Sequence, residues 1–330
     1  MIQPEKIKTL KTLIEKHRRF VLTTHVNPDG DGLGSEIALY HYLKGLGKEV
    51  RIWNHNPVPE NYTFLDPTGA MEIFGEKRHQ KYLAEIEVVF VLDISDWFRL
   101  KSFGKWLQKQ KGLPIVCIDH HPNGDRFGSL DFLMTKASST GEIVFEILKA
   151  LNAAITLPIA EALYTAILTD TGSFRFNNTT ARAHRIAAEL MDNGIRFREI
   201  YEKIYENERP EKMKLLGMVL QELHFESNGR IVWFRITQEM LQTVGLKPED
   251  IDGFSDFPRR IAGVEISLMF VQIGEKRTKV SFRSKGNVVI NRLAQEVGGG
   301  GHPFASGAMI SRPLWETIDL ILPKAVGLFA

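Results

Sequence analysis

Short apolar runs alternate with amphipathic stretches through the first 120 residues, and no other feature limits the fold of this chain as strongly. The runs are rich in valine and isoleucine and comprise residues 19–24 (RFVLTT), 48–53 (KEVRIW), 87–93 (EVVFVLD) and 113–119 (LPIVCID). Such runs are typical of parallel strands covered on both faces. Helical patterns near residues 34–46 and 97–110 lie between them. The order predicts an α/β fold with a doubly wound, mainly parallel sheet.

The middle of the chain reads as consecutive helices, near residues 139–151, 157–169, 179–192 and 196–206. Ser139 followed three residues later by Glu142 is a capping box that marks the start of the first of them. The boundary of the N-terminal domain is expected among the last of these helices, between about residues 190 and 210.

The last third changes to a pattern of strands. A helix from Pro210 to about residue 223 precedes a hairpin around Asn228 and Gly229, and a second strand pair follows. We expect a doubly wound domain at residues 1–190, a helical linker at 191–210 and a smaller, mixed α/β domain at 211–330. The active-site cleft is expected between the two domains.

Length and composition are those of an ordinary globular protein. The 330 residues exceed the roughly 250 to 300 at which one core stops growing, so two domains are expected. Lysines and glutamates interrupt the N-terminal stretch, and no apolar run approaches the ~20 residues of a membrane span. These features predict a cytoplasmic protein without a membrane partner, in which the single cysteine, Cys117, is inert core. The net charge of +2 excludes a general attraction for long nucleic acid.

Histidine and carboxylate side chains gather directly after the first apolar run, in the stretch TTHVNPDGDGLGS. His25, Asp29 and Asp31 would lie beyond the carboxyl end of that strand, where open α/β sheets bind ligands. Gly30 and Gly32 would let the backbone bend so that both carboxylates face one point. The alternative is an acidic turn that caps a helix near Gly34, and this stretch alone does not decide between them.

The same arrangement recurs at two further strand ends. The third apolar run ends at Asp93, the fourth ends at Asp119 followed by His120 and His121, and Asp170 closes an apolar helix. Any one of these residues could be a helix cap. Their repetition at three strand ends predicts a shared site.

Six of these side chains make a set of two imidazoles and four carboxylates: His25, Asp29, Asp31, Asp93, His120 and Asp170. A set without thiolate suits Mn²⁺ better than a structural zinc ion. Six ligands exceed what one ion needs, so two divalent ions bridged by a carboxylate are expected. Such a pair activates water and stabilises in-line displacement at phosphorus.

A glycine run, Gly298 to Gly301, precedes His302 near a basic segment. Between Arg259 and Arg292 eight basic residues face two acidic ones, and the eight include Arg260 and Arg283. Gly298, Gly299, Gly300 and Gly301 could present backbone N–H groups to a phosphate, and His302 could add a side-chain donor, although a flexible loop is the alternative. The basic neighbours favour phosphate binding.

These motifs together resemble the DHH phosphoesterases, and GGGGHPFASG (298–307) resembles the signature of their DHHA1 domain. The resemblance implies that His25 and Asp29 hold one ion, that Asp31, His120 and Asp170 hold a second, and that Asp93 bridges them. It also implies that Asp119 orients His120. His121 would then face the substrate phosphate, so His121 and Asp119 are the expected catalytic pair.

The two-domain chain is similar to the NrnA group of this family, which implies two substrate classes. These are short oligoribonucleotides and nucleotide bisphosphates such as 3'-phosphoadenosine 5'-phosphate (pAp), bound at a terminal phosphate by Arg260, Arg283 and the glycine segment. The alternatives are a pyrophosphatase or exopolyphosphatase, a phosphodiesterase of cyclic or linear dinucleotides, and a non-catalytic nucleotide sensor. No metal position departs from the family pattern, which disfavours the sensor. The sequence leaves open whether the protein is a homodimer.

Overall fold

The valine- and isoleucine-rich runs form a six-stranded parallel sheet in the computed structural model, which describes residues 2–94, 96–121, 128–251 and 253–329. The strand order is β3-β2-β1-β4-β5-β6, and every neighbouring pair is parallel. The strands are β1 (Arg19–Thr23), β2 (Glu49–Asn54), β3 (Met71–Ile73), β4 (Val88–Leu92), β5 (Ile115–Asp119) and β6 (Leu130–Leu133). The doubly wound prediction is confirmed, with two short edge strands added, β3 and β6.

Helices cover both faces of this sheet. They are α1 (Pro4–Lys16), α2 (Gly30–Gly45), α3 (Glu76–Leu83), α4 (Lys101–Leu107), α5 (Thr140–Ala150), α6 (Leu157–Asp170), α7 (Ala181–Asp192) and α8 (Phe197–Tyr205). Alternate residues of β1 enter different cores: Phe20 joins the one built with α2, α5 and α6, and Val21 the one built with α3 and α4. Cys117 is fully buried in the second core, as expected, and burial raises the pKa of its thiol.

The chain divides into two units, Met1–Asn207 and Glu208–Ala330. The sequence placed residues 191–210 in a linker. In the structure Ile200 and Ile204, on the apolar face of α8, are buried in the core of the N-terminal unit. None of the helices in the described part of the chain combines the length and apolarity needed to cross a bilayer.

A mixed sheet forms the C-terminal unit, in the order β11-β12-β10-β9-β8-β7. Its strands are β7 (His224–Glu226), β8 (Ile231–Ile236), β9 (Ile266–Gly274), β10 (Arg277–Ser284), β11 (Gly300–His302) and β12 (Ala305–Ile310). Its helices are α9 (Pro210–Gln221), α10 (Gln238–Val244), α11 (Asn291–Glu296) and α12 (Leu314–Val326). The predicted β7–β8 hairpin and the predicted β9–β10 strand pair are both present and both antiparallel, whereas β8 and β9 are parallel.

The strand order of the parallel sheet reverses at β1, which has β2 on one side and β4 on the other. The segments that follow the carboxyl ends of β1 and β4 therefore turn in opposite directions and leave a crevice between them. The polar residues that follow these two strands lie at this crevice.

Candidate metal centre

Asp29 both caps a helix and faces a histidine. Its Oδ1 accepts hydrogen bonds from the N–H groups of Asp31 and Gly32, at 3.1 and 3.2 Å, so α2 begins at Gly30 rather than near Gly34. Its Oδ2 lies 3.8 Å from Nε2 of His25. The capping and ligand interpretations of this residue therefore hold together, one for each carboxylate oxygen.

The glycines of this stretch allow close packing instead of the bend that we expected. Gly30 and Gly32 are helical, and neither has a positive φ. A Cβ on Gly30 would lie 2.5 Å from Oγ1 of Thr169, and one on Gly32 would collide with Oγ1 of Thr24. The absence of side chains lets the first turn of α2 rest against α6 and against Thr24, which directly follows β1, and this brings Asp31 into the crevice.

A first ligand group consists of His25, Asp29 and Asp93. His25 is buried, and its Nε2 lies 3.3 Å from Oδ2 of Asp93. Nδ1 of the same ring lies 2.9 Å from the carbonyl oxygen of Val26. A ring that donates from Nδ1 presents Nε2 as the ligand atom, so this contact aims the imidazole at the carboxylates.

A second group surrounds His120. Its Nε2 lies 3.7 Å from Oδ2 of Asp31, 3.6 Å from Oδ1 of Asp93 and 3.6 Å from Oδ2 of Asp170. This nitrogen is buried and has no hydrogen-bond partner among the described residues. Ligands held about 2.0 to 2.2 Å from one ion lie about 3 to 4 Å from each other. The spacing fits a divalent cation.

Asp93 belongs to both groups because its two oxygens face in different directions. Oδ2 faces His25 and Oδ1 faces His120. The residue is buried and takes the left-handed conformation, with φ of 58°, immediately after β4. Aspartate tolerates this conformation better than most residues, and such outliers concentrate at functional sites.

The pKa values of the clustered side chains also indicate a site for cations. Burial and the charge of Asp93 raise the pKa of both Asp31 and Asp170 well above the ordinary range. Burial alone would lower the pKa of His25, but hydrogen bonds to Asp29 and Asp93 raise it to about 10. Divalent cations would offset the carboxylate repulsion and replace the proton of His25. The oxygen and nitrogen donors fit two such ions.

Asp119 contacts a different histidine from the one that we expected. Its Oδ1 lies 2.7 Å from Nδ1 of His121 and accepts a bond from the His121 N–H at 3.2 Å. The prediction that Asp119 orients His120 is therefore wrong. Burial alone would lower the pKa of His121, but the bond to Asp119 and the charges of Asp93 and Asp119 outweigh it and raise that pKa.

Two polar residues at the site were missed from the sequence. Oγ1 of Thr140 donates to Oδ1 of Asp93 at 3.0 Å, and Nδ2 of Asn178 donates to Oδ2 of Asp170 at 3.0 Å. The capping box at Ser139 predicted the helical turn that contains Thr140, but it did not predict that this turn faces Asp93. Only part of that box forms, because Glu142 bonds Ser138 instead of returning to Ser139.

The residues predicted to bind phosphate lie in the C-terminal unit. Arg283 is half-buried, and its Nη1 donates to the carbonyl oxygens of Phe282 and Ser306, while its Nε lies 3.7 Å from Asp256. Arg260 is exposed, with its guanidinium 4.9 Å from the ring of Phe257. Asp256 lies just before the basic segment that begins at Arg259, and it also pairs with Arg259 at 2.7 Å. This carboxylate was not among the acidic residues considered from the sequence.

The backbone of the glycine run is hydrogen-bonded to regular structure in the C-terminal unit and does not form a separate loop. The N–H groups of Gly298 and Gly299 donate to carbonyl oxygens of α11, so the prediction that they face a phosphate is wrong. Gly300 and Gly301 pair with β12 in β11. Gly301 has φ of 135°, and a Cβ there would lie 2.6 Å from the carbonyl oxygen of Ala305. The predicted role of the His302 side chain lies outside the described part of the structure.

Comparisons with known proteins agree with these two units. The model of the DHH family N-terminal domain matches residues 19–167, and that of the DHHA1 domain matches residues 236–329. The bifunctional oligoribonuclease and PAP phosphatase NrnA of Thermus thermophilus is 33% identical over 299 residues, which cover 88% of this chain and 83% of that protein. The protein of the same name from Bacillus subtilis is 31% identical and covers 96% of each chain.

A solved structure supports the same assignment. The crystal structure of an exopolyphosphatase-related protein from Bacteroides fragilis superposes with a TM-score of 0.93 at 27% identity, covering 99% of this chain and 97% of that one. The chain therefore belongs to the DHH/DHHA1 family of phosphoesterases and is a hydrolase of phosphoester bonds similar to the NrnA proteins.

Proposed function

We propose that this enzyme hydrolyses short oligoribonucleotides to mononucleotides, and pAp to AMP, with two divalent metal ions, preferably Mn²⁺. The substrates follow from the two NrnA relatives, each named an oligoribonuclease and PAP phosphatase. The observation that carries the two-metal proposal is the division of Asp93 between His25 and His120. One carboxylate with an oxygen in each group could serve both ions of a two-metal site.

The proposed ligands are those that the two groups contain. His25, Asp29 and Asp93 would hold one ion, and Asp31, Asp93, His120 and Asp170 would hold the other. Bound ions would supply an activated water and neutralise charge that develops at phosphorus. Mn²⁺ is compatible with imidazole and carboxylate ligands and does not need a thiolate.

His121 is the proposed group of the chain that contacts the substrate at this centre. Asp119 accepts from Nδ1 of its ring, which fixes the ring and favours the imidazolium form. An imidazolium held in this way donates from Nε2 to a phosphate oxygen or to the leaving oxygen. The pair Asp119 and His121 thus keeps the catalytic role that the sequence indicated, with Asp119 orienting His121 itself.

The C-terminal unit is proposed to bind a terminal phosphate of the substrate. Backbone carbonyl groups and Asp256 orient the guanidinium of Arg283, and an oriented guanidinium binds phosphate at a lower entropic cost. Arg260, Gly300, Gly301 and His302 remain the other proposed contacts. The experiment is steady-state kinetics of Arg283→Ala and Arg283→Lys on pApA and on the dinucleotide without the 5'-phosphate. An equal loss on both substrates would contradict the proposal.

One substrate panel tests the activity. The purified enzyme with Mn²⁺, with Mg²⁺ and with a chelator is incubated with pAp, pApA, a 20-nucleotide RNA and polyphosphate. We expect metal-dependent hydrolysis of pAp and pApA and slower hydrolysis of the long RNA, since long polyanions need an extended basic track. Equal rates on short and long RNA would contradict the substrate assignment.

A second candidate is an exopolyphosphatase that uses the same ions, favoured by the name of the Bacteroides relative. This reaction needs no contact with a base or a ribose. This candidate would be selected if the wild-type enzyme hydrolysed polyphosphate but not pApA. The variant Asp93→Ala should then be inactive on polyphosphate.

A further inference from the structure

The first turn of α5 is directed at the metal centre. Backbone N–H groups of Thr140 and Gly141 donate to the two oxygens of Asp31, at 2.7 and 2.8 Å, and both residues are buried. A Cβ on Gly141 would collide with Ala166 of α6, so this turn reaches Asp31 only because the residue is glycine. The N-terminus of the helix also carries a partial positive charge that favours a carboxylate there.

Thr140 makes a side-chain contact that its backbone cannot supply. Its fully buried hydroxyl donates to Oδ1 of Asp93 at 3.0 Å. This is the oxygen that lies 3.6 Å from Nε2 of His120, whereas the other oxygen faces His25. The hydroxyl therefore holds the half of Asp93 that belongs to the group around His120.

A third carboxylate is attached to the same turn indirectly. Nδ2 of Asn178 lies 3.0 Å from Oδ2 of Asp170 and 2.8 Å from the carbonyl oxygen of Ser138, which precedes the helix. The turn thus fixes Asp31 and Asp93 directly and Asp170 through Asn178. Asp29 is oriented separately, by its own helix α2.

We propose that Thr140 is a positioning residue for the ion held by Asp31, Asp93, His120 and Asp170, which is an inference that rests on the proposed two-metal function. Rotation of a carboxylate about its last torsion is only weakly restricted. The Thr140 hydroxyl fixes that torsion in Asp93, so that Oδ1 remains beside His120 while Oδ2 remains beside His25. Without the hydroxyl, the ion at His120 loses the most affinity, because Oδ1 of Asp93 loses its hydrogen-bond donor while Oδ2 keeps its own contact with His25.

Direct binding of Mn²⁺ tests this inference without substrate. Titration calorimetry and EPR of the metal-free protein with Mn²⁺ report the number of ions, their dissociation constants and the magnetic coupling of a close pair. Thr140→Val keeps the shape and removes the hydroxyl, and Thr140→Ser keeps the hydroxyl. We expect Thr140→Val to raise the dissociation constant of one ion by about 10- to 100-fold. The other ion should be weakened clearly less, the coupling should weaken, and Thr140→Ser should restore the affinity and the coupling.

Thr165→Val is the matched control, because Thr165 is equally buried and, among the residues that the structure describes, its hydroxyl bonds only its own helix, at the carbonyl oxygen of Glu161. Circular dichroism melting of each metal-free variant reports the fold. If Thr140→Val does not fold, Thr140→Ala replaces it in the same titration.

Three results would overturn the inference. They are two ions bound by Thr140→Val with wild-type affinity and coupling, an equal loss in Thr165→Val, or no rescue by Thr140→Ser. Failure of the proposed function is a different result, since wild-type protein would then bind fewer than two ions or would leave pApA and pAp intact.

Discussion

Replacing Gly34 by alanine should separate two helices that the metal centre needs close together. Gly34 lies in α2, three residues after Asp31, and faces α6, which ends at Asp170. A Cβ at Gly34 would lie well under 3.0 Å from the carbonyl oxygen of Ala162 and 3.1 Å from Cβ of Ala166. To reach ordinary contact the helices must move apart by about 1 Å.

The cost follows from two opposing effects. Alanine improves the helix propensity by about 1 kcal/mol over glycine. Overpacking typically costs about 1 to 3 kcal/mol. A backbone carbonyl group cannot rotate away from the new Cβ, so we expect a cost of about 3 kcal/mol here. The net loss in the free energy of unfolding is about 2 kcal/mol. In a unit of this size that lowers the melting temperature by about 4 to 8 °C.

Gly45→Ala is the matched control in the same helix. Gly45 is the last residue of α2, has no positive φ, and a Cβ there would meet nothing within 4 Å. We expect this variant to be at least as stable as the wild type. Calorimetric melting of both metal-free variants measures stability, and titration with Mn²⁺ measures the ion held by Asp31 and Asp170. A shift of about 1 Å exceeds the tolerance of about 0.2 Å in ligand distances, so Gly34→Ala should weaken that ion.

The reasoning would be refuted if Gly34→Ala had the same melting temperature as Gly45→Ala and bound both ions with wild-type affinity. It would also be refuted if Gly45→Ala lost as much stability as Gly34→Ala, because propensity and packing would then not be separable at these positions.

Three further predictions concern single carboxyl groups. Asp93→Asn should abolish metal-dependent hydrolysis while circular dichroism shows a folded protein, and near wild-type turnover would contradict the bridging role. Asp119→Asn should lower kcat without changing the number of bound Mn²⁺ ions, because it leaves His120 in place and releases His121; loss of an ion would contradict this. Burial, only partly offset by the bond from Asn54, raises the pKa of Glu36 from 4.5 to about 8. Its contribution to stability is therefore full below about pH 4.5 and is lost as the pH rises to about 8. Glu36→Gln should flatten that decline in urea titrations of the metal-free protein, and an unchanged decline would contradict the pKa.

The sequence determined the architecture of the parallel sheet and predicted which polar side chains gather at its carboxyl edge. Long apolar runs can only be buried, and buried parallel strands have their carboxyl ends at one edge, so residues placed after them must converge. This argument predicted four of the six strands and brought together His25, Asp93 and His120. It did not predict β3 or β6, which are short edge strands with few buried residues.

Only the tertiary structure decided how each of these side chains is held. Thr140 and Asp31 are 109 residues apart, and nothing in either local sequence reports their hydrogen bond. Asp119 precedes both histidines, and the choice of His121 over His120 depends on how the chain turns after β5. The glycines of α2 look like hinges in a sequence, and their role becomes visible only when Thr24 and Thr169 lie against them. Periodicity records which residues are buried, whereas the partner of a buried polar atom depends on chain segments that only folding brings together.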